Sequence, residues 1–252
     1  MTDAAPVAST TWAVVVAGGS GSRFGGTLPK QYSLLGDRRV LDWSLGSMRR
    51  AALGGVVLVV PPDRVSDPEP VASVVVAGGD TRSESVRNGL AHVPDDAGAV
   101  LIHDAARPLV PAAVIDALLA ALTNGADAAI PGVAIADTVK RVAAGFVTQT
   151  LPRTELVAVQ TPQAFPLAVI RRAHAQGEQA TDDAALVEAS GGRVAVVAGS
   201  DLLRKVTTAA DITFLEQFLV QFEHSEHSEH SEHSEHSGQV SADSSAALKD
   251  GF

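Results

Sequence analysis

The stretch "WAVVVAGGSGSRFGGTLPKQY" (residues 12–32) joins a valine-rich run to a loop that is rich in glycine. The run at 12–17 is short, apolar and largely β-branched, which predicts a buried strand of a parallel sheet. Glycine tolerates positive φ and lets a ligand approach the backbone closely, so the loop can aim several N–H groups at an anion. The stretch therefore predicts an α/β fold with a phosphate-binding loop after its first strand.

Apolar runs of the same kind recur along the chain, and segments with helical periodicity separate them. The predicted strands cover residues 12–17, 55–60, 72–79, 99–104, 126–135 and 193–199, and the predicted helices cover 40–51, 81–92, 111–123, 166–176, 182–190 and 208–222. This alternation predicts a Rossmann-like, mostly parallel sheet with helices on both faces. Ligands of such sheets bind outside the carboxyl ends of the strands. We therefore expect the loops after residues 17, 77 and 104 to form one site.

Composition narrows the class of protein. The chain has 252 residues, 46% hydrophobic and only 4% aromatic, so one domain with a core of small aliphatic side chains is expected. It has no cysteine, which excludes disulfides and thiolate metal sites. No apolar run approaches the roughly 20 residues of a membrane helix, and the N-terminus lacks the basic region of a signal peptide. We expect a cytoplasmic enzyme that does not bind membranes.

The net charge of −10 is unevenly spread. More than half of it falls in residues 223–252, which begin with five consecutive Glu-His-Ser triplets. Such low-complexity sequence has no apolar face, so we expect a folded domain at 1–222 and a disordered tail at 223–252. The alternative use of this tail is to bind a transition metal through its histidines. The rest of the chain shows no basic run, so no nucleic-acid partner is expected.

Residues 137–160 break the strand–helix alternation. They alternate in polarity and contain a turn signal at Ala144–Gly145, which predicts a projecting β-hairpin arm. A lone hairpin buries too little apolar surface to be stable by itself. We therefore expect this arm to pack against a second copy of the chain and form a homodimer.

The glycine-rich loop is neither of the two familiar nucleotide loops. No Gly-Lys-Ser/Thr follows it, and Phe24 stands where a dinucleotide fingerprint needs its third glycine. A nucleoside triphosphate is the better fit, and Arg23 and Lys30 would then neutralise the charge that develops on its phosphates. The alternative is a solvated loop with two ordinary surface cations.

Seven strings of residues together resemble a known family. The string at 17–32 resembles the signature loop of nucleotidyltransferases that activate sugar or alditol phosphates. Six further strings resemble the 2-C-methyl-D-erythritol 4-phosphate cytidylyltransferases of the non-mevalonate isoprenoid pathway: "AGGDTRSESVRNGL" (77–90), "LIHDAARPLV" (101–110), "ADTVKR" (136–141), "TLPRTELVAVQTPQAF" (150–165), "ATDDAALVE" (180–188) and "LRKVTTAADI" (203–212). The resemblance spans about residues 12–220.

The resemblance implies the reaction and its first set of residues. The family transfers CMP from CTP to methylerythritol phosphate with Mg²⁺ and releases pyrophosphate. The acceptor's own phosphate is the nucleophile, so no side-chain nucleophile is required. Arg23 and Lys30 would stabilise the α-phosphate, and four residues would lie along the nucleotide: Ala17, Gly18, Gly19 and Ser20.

The second and third strings would hold the base and the ribose. The resemblance implies that Gly79, Asp80 and Ser85, with Ala77 and Gly78, hold cytosine. Asp104 would contact Mg²⁺ or the ribose, Ala105 would pack beside the ribose, and Arg107 would reach the phosphate of the second substrate. Structural alternatives are that Asp80 or Asp104 caps the next segment and that Arg107 is an ion-pair partner. His103 is expected to be a packed histidine and no general base.

The remaining implied residues come from the arm and the C-terminal part. In the family, the arm crosses to a second subunit, where Thr138 and Arg153 would grip methylerythritol phosphate. Thr161 and Lys205 would complete the polar shell, and Thr181–Asp182 marks a helix start that could line the site.

Other functions remain open from sequence. A cytidylyltransferase for ribitol 5-phosphate or a similar polyol phosphate would use the same CTP site. A non-catalytic nucleotide sensor could share the fold, although it would not need both Arg23 and Lys30. A metal-handling protein would depend on the histidine-rich tail. The roughly 30 residues after Phe222 are too few for a second domain, so a monofunctional chain is expected.

Overall fold

The computed structural model describes residues 11–18, 29–51, 54–175 and 180–222. Its strands are β1 (Thr11–Val16), β2 (Leu34–Leu35), β3 (Arg38–Arg39), β4 (Gly55–Val60), β5 (Val74–Ala77), β6 (Ala99–Asp104), β7 (Ala128–Ala134), β8 (Val139–Ala143), β9 (Phe146–Leu151), β10 (Val157–Val159), β11 (Gln163–Pro166) and β12 (Val194–Ala198). Its helices are α1 (Val40–Ala51), α2 (Arg82–Leu90), α3 (Ala112–Thr123), α4 (Leu167–Ala175), α5 (Asp183–Ala189) and α6 (Ala209–Glu216).

The central sheet is mostly parallel. Strand β1 lies between β4 and β6, and β5 pairs with the far edge of β4, all in parallel. Strand β12 pairs in parallel with β7. Two antiparallel strands interrupt this order, because β11 runs between β6 and β7 and β10 pairs with the end of β7. The α/β architecture predicted from sequence is confirmed.

Helices cover both faces of the sheet, and the side chains of β1 show why. Ala13 and Val15 are fully buried on the face covered by α1 and α3, while Val14 is fully buried on the face covered by α2, α4 and α5. A strand that is apolar on both faces needs a layer on each side. The valine-rich run therefore dictates a three-layer arrangement.

A third, smaller cluster attaches the C-terminal helix α6. Leu35, Trp43, Val206, Leu215 and Phe222 pack together in it, and the Trp43 indole N–H donates to the carbonyl of Leu35 at 2.8 Å. The segment that carries Lys205 is thereby fastened beside the sheet, since the amide of Val206 also bonds to the carbonyl of Ala106 at 2.8 Å.

The predicted hairpin forms, but it is shorter than the predicted range of 137–160. Strands β8 and β9 form an antiparallel two-stranded sheet of their own, joined at Ala144 and Gly145, both of which have positive φ. The tail prediction, by contrast, lies outside the described residues.

Two short strands that follow the arm were not predicted. Residues 157–159 lie inside the predicted arm, and no strand was predicted at 163–166, but β10 and β11 return antiparallel into the main sheet. They are three and four residues long, which is too short for a periodicity to show. Their pairing partners lie well away along the chain, so only the assembled sheet defines them.

Candidate active site

A cleft of about 400 Å³ opens at the carboxyl ends of β1, β5 and β6. Its volume is within the usual range for a small-molecule site. The residues that line it come from the loops after 17, 77 and 104, as predicted, together with two further segments: Val16, Ala17, Gly18, Lys30, Gln31, Gly79, Asp80, Thr81, Arg82, Ser85, Asp104, Ala105, Ala106 and Lys205. The predicted convergence of the three loops is confirmed.

The two ends of the glycine-rich loop meet at the floor of the cleft. The amide of Ala17 bonds to the carbonyl of Val59 at 2.8 Å, and the buried Gln31 side chain donates to the carbonyl of Ala17 at 2.6 Å. Lys30 begins the short 3₁₀ turn that contains Gln31, so this bond fixes where the Lys30 backbone sits. Of the predicted loop residues, Gly19, Ser20 and Arg23 lie outside the described residues.

The loop before α2 is held by its own side chains. The Ser85 hydroxyl accepts from the amide of Gly79 at 3.1 Å and donates to the carbonyl of Thr81 at 3.0 Å. A Cβ at Gly79 would lie 2.4 Å from the Cβ of Glu84, so only glycine fits there. Thr81 caps α2 with Glu84 in a capping box. The alternative that Asp80 is the cap is therefore wrong, and Asp80 stands exposed at the cleft.

Asp104 carries one cation on each carboxylate oxygen. The Arg82 Nε lies 3.2 Å from Oδ1, and the Lys205 ammonium lies 2.6 Å from Oδ2. Burial alone would raise the pKa of Asp104, but the Arg82 and Lys205 charges outweigh it and hold that pKa well below its ordinary value. Asp104 is thus an ionised carboxylate in the cleft and does not cap a helix.

Arg82 is a lining residue that the sequence analysis did not single out. Its Nη1 lies 2.7 Å from Oδ2 of the buried Asp183, so the guanidinium bridges two carboxylates. Burial works to lower the pKa of Arg82, and Asp183 and Asp104 more than reverse this and raise it. In the sequence, only the position of Arg82 pointed to this role. Arg82 lies in the first turn of the helix that follows residues 77–80, the loop predicted to hold cytosine.

The backbone around Asp104 is held from beneath by Thr161 and His103. The amide of Asp104 donates to the Thr161 hydroxyl at 3.1 Å, and that oxygen lies 3.2 Å from His103 Nδ1. His103 Nε2 lies 2.9 Å from the carbonyl of Arg107. Burial lowers the pKa of His103 to about 4. The neutral ring therefore donates from Nε2 and accepts the Thr161 hydroxyl proton at Nδ1.

Three predicted residues are placed differently with respect to the cleft. Ala105 lines it, and its amide continues the sheet to the carbonyl of Val16 at 3.0 Å. Thr161 is buried under the Asp104 backbone and does not line the cleft. Arg107 does not line the cleft, and its Nη1 donates to the carbonyl of Leu203 at 2.6 Å. Burial lowers the pKa of its guanidinium. Arg107 thus fastens the segment before Lys205.

The arm residues do not reach the cleft of their own chain. Thr138 and Arg153 are exposed, and Arg153 donates to the backbone carbonyl of Ala136 at the base of the arm. Neither residue lines the cleft. Thr181–Asp182 starts a helix as predicted, with Asp182 as the N-cap of α5.

The Asp104 carboxylate suits a cation that enters the cleft bound to phosphates. Within the described ranges, no three His, Asp or Glu side chains come together as a metal cage. Mg²⁺ bound to phosphates keeps several waters and needs only one or two carboxylates. Asp104 lines the cleft and is held ionised, so it can supply the carboxylate that such an ion needs.

Comparison with known proteins identifies the family. A sequence model of the 2-C-methyl-D-erythritol 4-phosphate cytidylyltransferase family matches residues 11–221. The chain belongs to this family. The cytidylyltransferase of Frankia casuarinae is 44% identical over 225 residues, which is 86% of this chain and 84% of that protein. That of Streptomyces coelicolor is 41% identical, over 84% of this chain and 85% of its own length.

A solved structure agrees with the sequence matches. The crystal structure of the cytidylyltransferase from Thermus thermophilus matches with a TM-score of 0.69 at 33% identity, over 81% of this chain and 96% of that one. The chain is thus an enzyme that transfers CMP from CTP. This membership favours catalysis over the nucleotide-sensor and metal-handling alternatives. Among the described residues, no helix is long and apolar enough to span a bilayer.

Proposed function

We propose that this cleft binds CTP with its phosphates between Lys30 and Lys205, and that the chain transfers CMP to 2-C-methyl-D-erythritol 4-phosphate. The observation that carries the assignment is the meeting of both lysines with the loop at Gly79 around one cleft at the strand ends. Family membership supplies the reaction. The cleft geometry supports where each part of the nucleotide lies.

The reaction needs charge neutralisation more than covalent catalysis. A phosphate oxygen of the acceptor attacks the α-phosphorus of CTP, the bond from that phosphorus to the bridging oxygen breaks, and pyrophosphate leaves. Lys30 and Arg23 stabilise the charge on the α-phosphate, while Lys205 leaves Asp104 to meet a substrate phosphate. Ala17 and Gly18 line the cleft, and this end of the loop would lie along the nucleotide.

The base and ribose fill the other side of the cleft. Gly79, whose amide is held by Ser85, and Asp80 are exposed at the cleft, and their oxygen atoms offer acceptors to the amino group of cytosine. Ala105 leaves room for the ribose beside Asp104. When bound, Mg²⁺ would neutralise phosphate charge, with Asp104 as the residue that holds it.

The acceptor site is proposed to be completed by a second copy of the chain. Apolar side chains on the arm face solvent in the single chain, and Phe146 is 78% exposed. Such exposure is typical of a surface that a partner covers. In the homodimer, Thr138 and Arg153 would then enter the partner's cleft and bind the acceptor phosphate bidentately. The matching surface in a two-fold dimer is the same arm.

Location and domain organisation are part of the same proposal. The folded domain spans 1–222, the Glu-His-Ser tail at 223–252 takes no part in catalysis, and the enzyme works in the cytoplasm. Removal of residues 223–252 is then expected to leave turnover unchanged. A loss of activity in that truncated protein would favour a role for the tail.

The test of the function is a substrate screen that measures pyrophosphate release. CTP, UTP and ATP are each offered with methylerythritol phosphate, and CTP is offered with ribitol 5-phosphate. We expect release only with CTP and a strong preference for methylerythritol phosphate. Preference for another nucleotide would overturn the base assignment, and preference for ribitol 5-phosphate would move the protein to the alternative acceptor.

A further inference from the structure

A line of polar and charged side chains runs from the cleft into the layer behind it. Lys205 and Arg82 lie on the two oxygens of Asp104, Arg82 continues to Asp183 at 2.7 Å, and His174 Nε2 lies 3.0 Å from the other oxygen of Asp183. Asp104, Arg82, Asp183 and His174 come from β6, α2, α5 and α4, and Lys205 comes from the segment before α6. These contacts connect the cleft to α4 and α5, two helices that contribute no residue to its lining.

The inner half of this line is deeply buried. The Asp183 side chain is 1% exposed and the His174 side chain 3%, whereas the Arg82 side chain is 30% exposed at the cleft. A buried carboxylate is costly unless it is paired and hydrogen-bonded. Both Asp183 oxygens have such a partner, so the position of this carboxylate is strongly determined by the helices around it.

The geometry assigns different tasks to the two cations on Asp104. Arg82 is tied at both ends, through Nε to Asp104 and through Nη1 to Asp183. Lys205 has a flexible stem, and its side chain is 40% exposed. When a triphosphate enters, Lys205 can turn to it, while Arg82 stays and keeps Asp104 oriented. Without Asp183, the guanidinium is free to leave Oδ1 and pair with the phosphates itself.

We propose that Asp183 is a positioning residue for CMP transfer, which acts through Arg82 to fix the Asp104 carboxylate and leave Lys205 available to the substrate. This inference rests on the proposed function of the cleft. Asp183 does not touch the substrates. It determines the position of groups that do, and a small displacement of such groups costs turnover more than binding.

The test compares Asp183→Asn, which keeps the size and removes the charge, with Glu188→Gln, an exposed position on the same helix α5. For D183N we expect kcat to fall by about 10- to 100-fold, with the KM for CTP changed by less than about threefold. E188Q is expected to match the wild type. Calorimetric titration with CTP then separates positioning from misfolding, because one CTP per chain in D183N means that the chains are folded and slow.

A second variant tests the route through Arg82. Arg82→Lys keeps a positive charge but cannot bridge two carboxylates, so its kcat is expected to fall like that of D183N. The double variant D183N/R82K is expected to be no slower than the slower single variant, because both substitutions break the same contact between Arg82 and Asp183. If D183N does not fold, the kcat of R82K alone decides whether the bridge from Arg82 to Asp183 is needed for turnover.

Three results would overturn the inference. They are a folded D183N with wild-type kcat, an R82K with wild-type kcat, and single-variant effects that multiply in the double variant. The wild type in the same assay distinguishes failure of the proposed function from failure of the proposed role of Asp183. A wild-type chain that is active while D183N is equally active removes the role of Asp183 and leaves the function intact, whereas an inactive wild type removes the function itself.

Discussion

The pairing of Asp104 with two cations shows how the end of strand β6 forms part of a binding site. The residues of β6 before it are all buried, and Asp104 is the first to meet the cleft, where Arg82 and Lys205 neutralise it. The pairing keeps a carboxylate ionised in a largely desolvated position. The same cations are then at hand for phosphates, which carry more charge than one carboxylate.

Lys30 is the residue on which the charge argument depends most directly. We expect Lys30→Ala to lower kcat by about 10²–10³, the scale for loss of one preorganised charge contact in a transition state. The fold is expected to survive, because Lys30 is only half-buried. Steady-state kinetics and circular dichroism check both points, and Arg172→Ala, an exposed cation on α4, serves as control. Unchanged turnover in K30A would contradict the assigned role.

His103 makes a prediction about acid stability. Its pKa falls from 6.5 to about 4 on folding because of burial, so between these values the unfolded chain binds a proton that the folded chain does not. The stabilisation is complete above pH 6.5 and is lost as the pH falls to about 4, by about 3 kcal/mol in total.

Urea unfolding at a series of pH values measures this effect. The free energy of unfolding of His103→Asn is expected to change less between pH 6.5 and 4 than that of the wild type. Parallel slopes for the wild type and H103N would show that His103 does not titrate as described.

At the scale of elements, short sequence runs predicted the long strands and helices well. The predicted helix at 40–51 coincides with α1, and the predicted strands at 55–60 and 99–104 coincide with β4 and β6. These elements are decided by local periodicity and burial on one or two faces. Strands β10 and β11 were missed because a three- or four-residue strand has no periodicity of its own.

Helix α2 packs against the sheet through a glycine, which gives a matched pair of variants. A Cβ at Gly89 would lie 2.5 Å from Val14 Cγ1 and 2.9 Å from Val59 Cγ2, whereas a Cβ at Gly46 in α1 would meet its nearest atom at 3.7 Å. Gly89→Ala is therefore expected to destabilise the fold by about 1–3 kcal/mol through overpacking. Gly46→Ala is expected to stabilise it by up to about 1 kcal/mol through helix propensity.

Chemical denaturation of both variants distinguishes packing from propensity. Opposite signs of the two changes in unfolding free energy are expected. A G89A variant as stable as the wild type would mean that α2 can shift on the sheet without cost. The close contact of Gly89 with the sheet would then not fix the position of the loop at 77–81 that precedes α2.

At the scale of the whole molecule, the cleft of one chain is lined by residues proposed to bind the nucleotide but not by those expected to hold the acceptor. Thr138 and Arg153 are exposed and away from their own cleft. The proposed dimer would resolve this, with each arm completing the partner's site. Activity would then belong to the pair of chains.

Mixing two impaired variants tests the shared site. Arg153→Ala is expected to raise the KM for methylerythritol phosphate, so the assay uses acceptor far below that KM, where this variant is almost silent. Lys30→Ala is expected to lower kcat in its own cleft by about 10²–10³. After subunit exchange, half of the dimers have one intact site, so about a quarter of wild-type activity is expected to return. Activity that stays at the mean of the two separate variants would mean that Arg153 acts within its own chain or not at all.

The sequence by itself determined the α/β class, most element bounds, the hairpin arm and the family, because these depend on local periodicity and on motifs of adjacent residues. It also placed three loops at one sheet edge, since the carboxyl ends of parallel strands meet there. Only the tertiary structure brought Arg82, Asp183 and His174 into line with Asp104, turned Arg107 toward Leu203 and set Thr161 beneath the site. Those contacts join residues far apart in the chain, and the direction of a long side chain is set by whichever charges and carbonyls the assembled fold places within reach.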